Sequence, residues 1–165
     1  MEIRYIHKTD DRMEISSIYE ESWKYAYKNI IPNDFLNSIE KGRWANVIDS
    51  PSWNTLVCIE NGKYIGTSSF CKSRFSEYDS YGEIISIYLL PAYIGKGYGS
   101  QLLRQVIVEL NNQGYNKILL WVLNENRRAK EFYKMNGFVE THHITNINIG
   151  GKELQEIMFV YKESK

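Results

Sequence analysis

Cysteine and proline are scarce in this chain of 165 residues, with two of the first and three of the second. Cys58 and Cys71 cannot staple a mini-protein, and with three scattered histidines they form neither a zinc-finger spacing nor a redox CxxC, so no metal site is expected. Reduced thiols in a cytoplasmic protein are the expectation. Pro32, Pro51 and Pro91 are isolated, and no Pro/Gly/Ser-rich linker, low-complexity tract or fixed-period repeat occurs. Residues 1–165 are therefore expected to form a single domain. An excess of one charge is missing too. With 20 basic and 20 acidic side chains there is no global field to gather nucleic acid or an anionic membrane surface, and neither partner is expected. No apolar run approaches the roughly 18 residues of a membrane span, and the opening MEIRYIHKTDD has no apolar signal-peptide stretch.

What the chain does have is enough length to remove roughly 70% of its unfolded surface from water. It also has an aromatic surplus, 14% of residues with 13 tyrosines and 4 tryptophans, beyond the needs of a plain core. Charge is unevenly spread: residues 1–90 carry 10 basic and 13 acidic side chains, residues 91–165 carry 10 and 7.

EIRYIHK alternates as a strand does, and Asp11 with Glu14 forms a capping-box pattern. Ile15, Ile18, Tyr19, Trp23, Ala26 and Tyr27 recur at three- and four-residue spacing, predicting an amphipathic helix over 11–28. Pro32 stops it; Phe35, Leu36 and Ile39 suggest a short second helix, and another is expected over 44–48. The period then changes. TLVCIE and KYIGTSSF flank Asn61-Gly62, a tight-hairpin signal. EIISIYLL and KILLWVL read as strands buried on both faces, separated by a helix carrying Leu102, Leu103, Val106, Ile107 and Leu110. A third helix over 126–135 and a terminal hairpin around Gly150-Gly151 complete the order. The central strand-helix-strand unit requires a parallel pair with a right-handed crossover. The expected fold is α/β: a mixed, mostly antiparallel sheet with a central parallel pair and helices on both faces.

Ligands in such sheets bind beyond the carboxyl ends of the parallel strands, where this chain places PAYIGKGYGSQLL. Gly95, Gly97 and Gly99 alternate ahead of a helix start, leaving no Cβ between a diphosphate and the backbone N–H groups. GxGxG fits neither the P-loop nor the Rossmann spacing, and a turn that merely needs glycine reads equally well.

LLPAYIGKGYG resembles the acyl-CoA signature of the GNAT superfamily of N-acetyltransferases, in which a strand, a proline and a [Gln/Arg]xxGx[Gly/Ala] loop precede a helix. LNENRRAKEFYKMNGF is similar to the family's Asn, Ala, Phe-Tyr and Gly-Phe segment, and ESWKYAYKNIIPNDFL to its Trp, Tyr and Ile-Pro pattern. Ile94 stands where the family usually has Gln or Arg.

The resemblance implies a GNAT fold whose central parallel strands splay, with acetyl-CoA as cosubstrate. The cofactor contacts it implies are Ile87, Tyr88 and Leu89 along the pantetheine arm, and Ile94, Gly95, Lys96, Gly97, Tyr98, Gly99 and Ser100 around the pyrophosphate. Asn124, Asn126 and Ala129 are added on the far side; Arg127 and Arg128 read first as a solvated face, with approach to the 3′-phosphate as the alternative. The Leu89 N–H would polarise the thioester carbonyl, whose oxygen gains negative charge in the transition state. Tyr133 matches the family's acid, delivering a proton to the departing thiolate, and Glu83 matches its base. Trp23, Tyr27 and Phe35 lie in the segment that covers the acceptor, although aromatics at helical spacing also read as core. His142 and His143 receive no function.

The function expected is transfer of acetyl from acetyl-CoA to a primary amine of a small molecule, or of a peptide, by direct attack in a ternary complex. Neither cysteine falls in a nucleophile motif. The acidic excess of residues 1–90 leans toward a cationic acceptor, such as a polyamine, an aminoglycoside or an amino-acid amine. Alternatives kept open are a longer acyl-CoA and a catalytically silent CoA-binding regulator. Dimerisation, common in the family, would use the terminal hairpin or an open sheet edge.

Overall fold

The computed structural model describes residues 1–162. Its elements in chain order are β1 (Glu2–Tyr5), α1 (Arg12–Ala26), α2 (Asn33–Asn37), β2 (Asn54–Glu60), β3 (Lys63–Lys72), β4 (Gly82–Leu89), α3 (Tyr98–Asn112), β5 (Ile118–Leu123), α4 (Arg127–Met135), β6 (Phe138–Ile149) and β7 (Lys152–Tyr161). The strands form one seven-stranded sheet in the order β1-β2-β3-β4-β5-β7-β6. Every neighbouring pair is antiparallel except β4 and β5, which run parallel around the α3 crossover. Helices cover both faces, as the hydrophobic periodicity requires.

On one face α3 lays down Leu102, Leu103, Val106, Ile107 and Leu110, all buried against Phe70, Ile84, Ile118, Leu120 and Phe159; α4 adds Ala129, Phe132 and Tyr133 to the same cluster. Each such aliphatic side chain contributes about 2 kcal/mol of burial. On the other face α1 sets Ile15 and Tyr19 against Val57 and Ile48, while α2 sets Leu36 against Leu123 and Leu154. Asp11 caps α1, its carboxylate accepting from the Met13 and Glu14 N–H groups at 2.8 and 3.0 Å. Asn61 (φ +50°) and Gly62 (φ +76°) make the expected hairpin turn. The helix expected over 44–48 does not form: residues 41–49 are successive turns. A segment this short depends on tertiary contacts rather than on its own helix propensity, and Trp44 is held by stacking on Tyr19 at 5.6 Å.

One irregularity shapes the centre of the sheet. Ser69 pairs with Ser86 and Phe70 with Ile84, so Ile85 is an extra residue on β4. A bulge of this kind bends its strand and ends regular pairing. The parallel pairing accordingly covers Gly82–Ile118, Glu83–Leu119 and Ile84–Leu120 and goes no further. Beyond it β4 and β5 diverge, opening a wedge at their carboxyl ends.

Candidate active site

The β4 wall of the wedge is backbone. Leu90 N–H donates to Ile65 O at 2.8 Å across β3. By the alternation of an antiparallel ladder, the amides of Ile87 and Leu89 therefore point the other way, into the opening. The Leu89 carbonyl there accepts from Ser22 Oγ of α1 at 2.8 Å, and because the pairing with β5 stops at Ile84–Leu120 the Leu89 N–H has no partner among the described residues.

Past β4 the chain turns through Pro91–Tyr93 and enters α3 by way of Gly95 (φ +79°) and Gly97 (φ +86°), both in the left-handed region that glycine tolerates. Gly97 is the N-cap and offers no side chain to the first turn. Among the described residues the N–H groups of Gly95, Lys96, Gly97, Tyr98, Gly99 and Ser100 make no hydrogen bond. A run of unpartnered donors at a helix start is an anion cradle. Gly99 serves packing instead. A Cβ there would lie 3.2 Å from Leu89 and 3.3 Å from Phe132, so its absence lets α3 sit against both. Lys96 Nζ rests 5.5 Å over the Tyr93 ring, and Tyr98 Oη donates to Glu60 at 3.2 Å. Ile94 is extended, its N–H bonded to Pro91 O, so the cradle is built without a side chain from this position.

Aromatic side chains converge on the wedge from both faces. From α1, Trp23 Nε1 donates to Tyr88 Oη at 3.0 Å, and Tyr27 packs edge-on against Trp23 at 5.0 Å. From α4, Tyr133 packs on Phe138 and Phe159. Desolvation pushes the Tyr27 hydroxyl up to about 12 and lifts Tyr88 and Tyr133 well above the ordinary phenol range. Tyr27 and Tyr88 each raise the cost of ionising a neighbour in this group, so all three stay protonated through neutral pH.

Asn126 caps α4 by accepting from the Ala129 N–H at 3.1 Å, which puts both residues on the β5 side of the wedge. Asn124 and Phe35 are also engaged by neighbouring elements. Asn124 Oδ1 accepts from Lys130 Nζ at 2.9 Å, and the residue lines an open recess with Asn146, Glu153 and Gln155. Phe35 is pressed against the terminal hairpin so closely that a Cβ on Gly150 would lie 2.6 Å from its own.

Glu83 is fully buried, and its carboxylate is occupied: Oε2 accepts from the Arg74 backbone N–H at 2.9 Å, Oε1 from Arg74 Nε and Nη2 at 3.2 and 2.7 Å. With both oxygens engaged in charge-assisted bonds, the group is tied to Arg74 rather than turned toward an amine.

Sequence reading missed Ser22, Arg74 and Glu156. Glu156 had a signal. It falls between Leu154 and Met158 on the inward face of β7, where the alternation calls for an apolar residue. Desolvation raises its pKa, with Glu83 adding to the rise and Arg74 opposing it.

The model of the acetyltransferase (GNAT) family matches residues 13–138. The chain belongs to this family. Among the family's members, the N-acetyltransferase YuaI of Bacillus subtilis, itself uncharacterized, is 32% identical over 122 residues, spanning 72% of this chain and 70% of that protein. The L-amino acid N-acyltransferase MnaT of Escherichia coli is 27% identical over 150 residues, spanning 89% and 84%. The GNAT fold is shared with the PaiA N-acetyltransferase of Thermoplasma acidophilum solved with coenzyme A, at TM-score 0.73 and 20% identity over 99% of this chain and 100% of that one. It is shared as well with yncA of Salmonella typhimurium solved with acetyl-CoA, at TM-score 0.69 and 22% identity over 100% and 95%. The protein is thus an acyltransferase of GNAT fold, and acyl-CoA is the cosubstrate its relatives support. Among the described residues no helix is long and apolar enough to cross a membrane.

Proposed function

We propose that this GNAT protein moves an acetyl group from acetyl-CoA to the primary amine of a small molecule, by direct attack while both substrates are bound. The observation that carries the reading is the wedge, where a free backbone donor at Leu89 and the Tyr133 phenol flank one opening beside the unpartnered N–H run of Gly95 to Ser100.

The fit to an acyl-CoA rests on that run, because a pyrophosphate needs many donors and no Cβ in the way. Acetyl-CoA supplies the activated acyl group. Leu89 N–H stabilises negative charge on the acyl oxygen. Tyr133, kept protonated by its desolvated setting, donates to the departing sulfur. Asn126 and Ala129 border the cofactor arm, and Trp23, Tyr27 and Tyr88 close the acceptor side. Glu83 holds Arg74 in place and is not the base in this scheme. Direct attack is supported by the thiols: desolvation pushes Cys58 up to about 11 and raises Cys71, so neither offers a thiolate to carry the acetyl group. Two relatives named for amino-acid acceptors support a small acceptor, the Escherichia coli enzyme and an L-methionine sulfoximine/L-methionine sulfone acetyltransferase of Salmonella typhimurium.

The test is release of free thiol from acetyl-CoA against a panel of primary amines, with CoA affinity measured in parallel. Amine-dependent release is expected. Tight CoA binding without release from any amine would replace this reading with the CoA-binding regulator.

A further inference from the structure

Three charged side chains meet on the α1/α2 face of the sheet, and the scheme above uses only one contact among them. Arg74 is pinned to buried Glu83 through Nε and Nη2, yet 49% of its side chain stays open and its Nη1 makes no hydrogen bond among the described residues. The guanidinium is thus fixed in direction with one edge free. Glu156 is the third charge. It is half-buried and has no hydrogen bond or ion pair among the described residues, and Arg74, Glu83 and Tyr27 are the charged and titratable groups in its field.

The sheet register places this group beside the wedge. Ile84 is level with Leu120, so Leu123 lies near the height of Ile87, and Glu156 is the direct partner of Leu123 on β7. Trp121, two residues before Leu123, projects to the same face as Glu156. Its ring lies tilted against Phe75, the residue after Arg74, at 5.3 Å, and its buried Nε1 has no acceptor among the described residues. A buried donor left without a partner costs about 1–3 kcal/mol; an acceptor group arriving there removes that cost.

Free donors at one end and a free carboxylate at the other do not suit a polyamine, which would meet the guanidinium with a cation of its own. They suit a zwitterion. We infer that the acceptor is a free α-amino acid, its carboxylate held by Arg74 with the Trp121 indole N–H as second donor, and its ammonium held by Glu156. This rests on the acetyl-transfer reading. Glu156 takes one proton from the ammonium, and the freed lone pair forms the N–C bond to the acetyl carbonyl carbon. The C–S bond breaks, the sulfur leaves with the electron pair and takes the Tyr133 proton. The second nitrogen proton returns to the Tyr133 oxygen as the amide forms, and Glu156 gives its proton to solvent. The products are an N-acetyl amino acid, CoA thiol and one proton.

The test compares thiol release for each protein amino acid with release for its carboxamide and for spermidine. A hydrogen-bonded charge gives about 10- to 100-fold, so kcat/KM for the best amino acid should exceed that of its carboxamide by that factor. Trp121→Phe keeps the ring on Phe75 and should raise KM for the amino acid about 10-fold at little change in kcat, without moving KM for the carboxamide. Glu156→Gln should lower kcat about 100-fold with CoA affinity intact. Carboxamides or spermidine acetylated as well as the amino acids would overturn the inference and leave acetyl transfer standing. No thiol from any amine would overturn both. A Trp121→Phe effect equal on acid and carboxamide would remove the indole from the site.

Discussion

Replacing Tyr133 by Phe removes one oxygen from the crowded junction of α4 with β6 and β7, and its consequences separate chemistry from stability. The ring contacts to Phe138 and Phe159, at 5.8 and 6.2 Å, survive in the variant. The hydroxyl makes no hydrogen bond among the described residues, so the usual loss of about 1 kcal/mol for a broken hydrogen bond does not arise. Deleting a desolvated, unpartnered polar atom is neutral or slightly stabilising. The thermal midpoint should therefore stay where it is or rise by a degree or two, about the shift that a few tenths of a kcal/mol produces at this size. Coenzyme affinity should hold as well, because the Gly95 to Ser100 donors are untouched. Turnover should fall by about 100-fold or more, the range of a lost general acid. Thiol release at saturating substrates, a melting curve and CoA titration measure the three quantities on one sample. Undiminished turnover refutes the acid role. A drop in turnover accompanied by a matching loss of stability refutes the argument that the hydroxyl is structurally idle.

Gly97→Ala meets open space, the nearest atom being Gln101 Nε2 at 3.9 Å, but φ +86° costs an L-residue about 1–2 kcal/mol, so CoA affinity should fall about 10-fold by titration. Gly114→Ala carries the same strain at φ +92° far from the cradle and should lower stability alone. Arg74→Ala strands a fully buried Glu83 carboxylate and should cost about 3–5 kcal/mol in denaturant unfolding, whereas Glu83→Gln leaves a half-exposed guanidinium that water can reach and should cost less. Tyr27, Tyr88 and Tyr133 have folded pKa values above the unfolded phenol value of about 10, so their stabilising effect is whole below that pH and is lost as pH rises toward about 12, a decline that melting curves at stepped alkaline pH will show.

Local rules wrote much of this molecule legibly. Asp11 announces α1, Asn61-Gly62 the β2–β3 turn, and the apolar run of 84–90 the buried centre of the sheet. The turn through Gly95 and Gly97 is legible because tolerance of positive φ is a property of single residues. The expected helix at 44–48 failed for a reason local pattern does not carry: Trp44 is placed by tertiary contacts, stacked on Tyr19 and tilted against Trp23. Phe35 is an acceptor-wall candidate through the family resemblance, whereas helical spacing reads it as core; neither says that it meets Gly150 of the terminal hairpin.

Through residue type and spacing alone, the amino-acid order determined most of the elements, the crossover and the glycine turn ahead of α3. Which charges meet was decided by the tertiary structure. Arg74 and Glu83 are nine residues apart and Glu156 lies more than seventy further on; only the sheet register brings them to one face. The register likewise sets one extra residue, Ile85, against the partner strand, and that bulge opens the wedge. A pairing offset and the side chains it brings together are properties of two strands at once, and no single stretch of sequence states them.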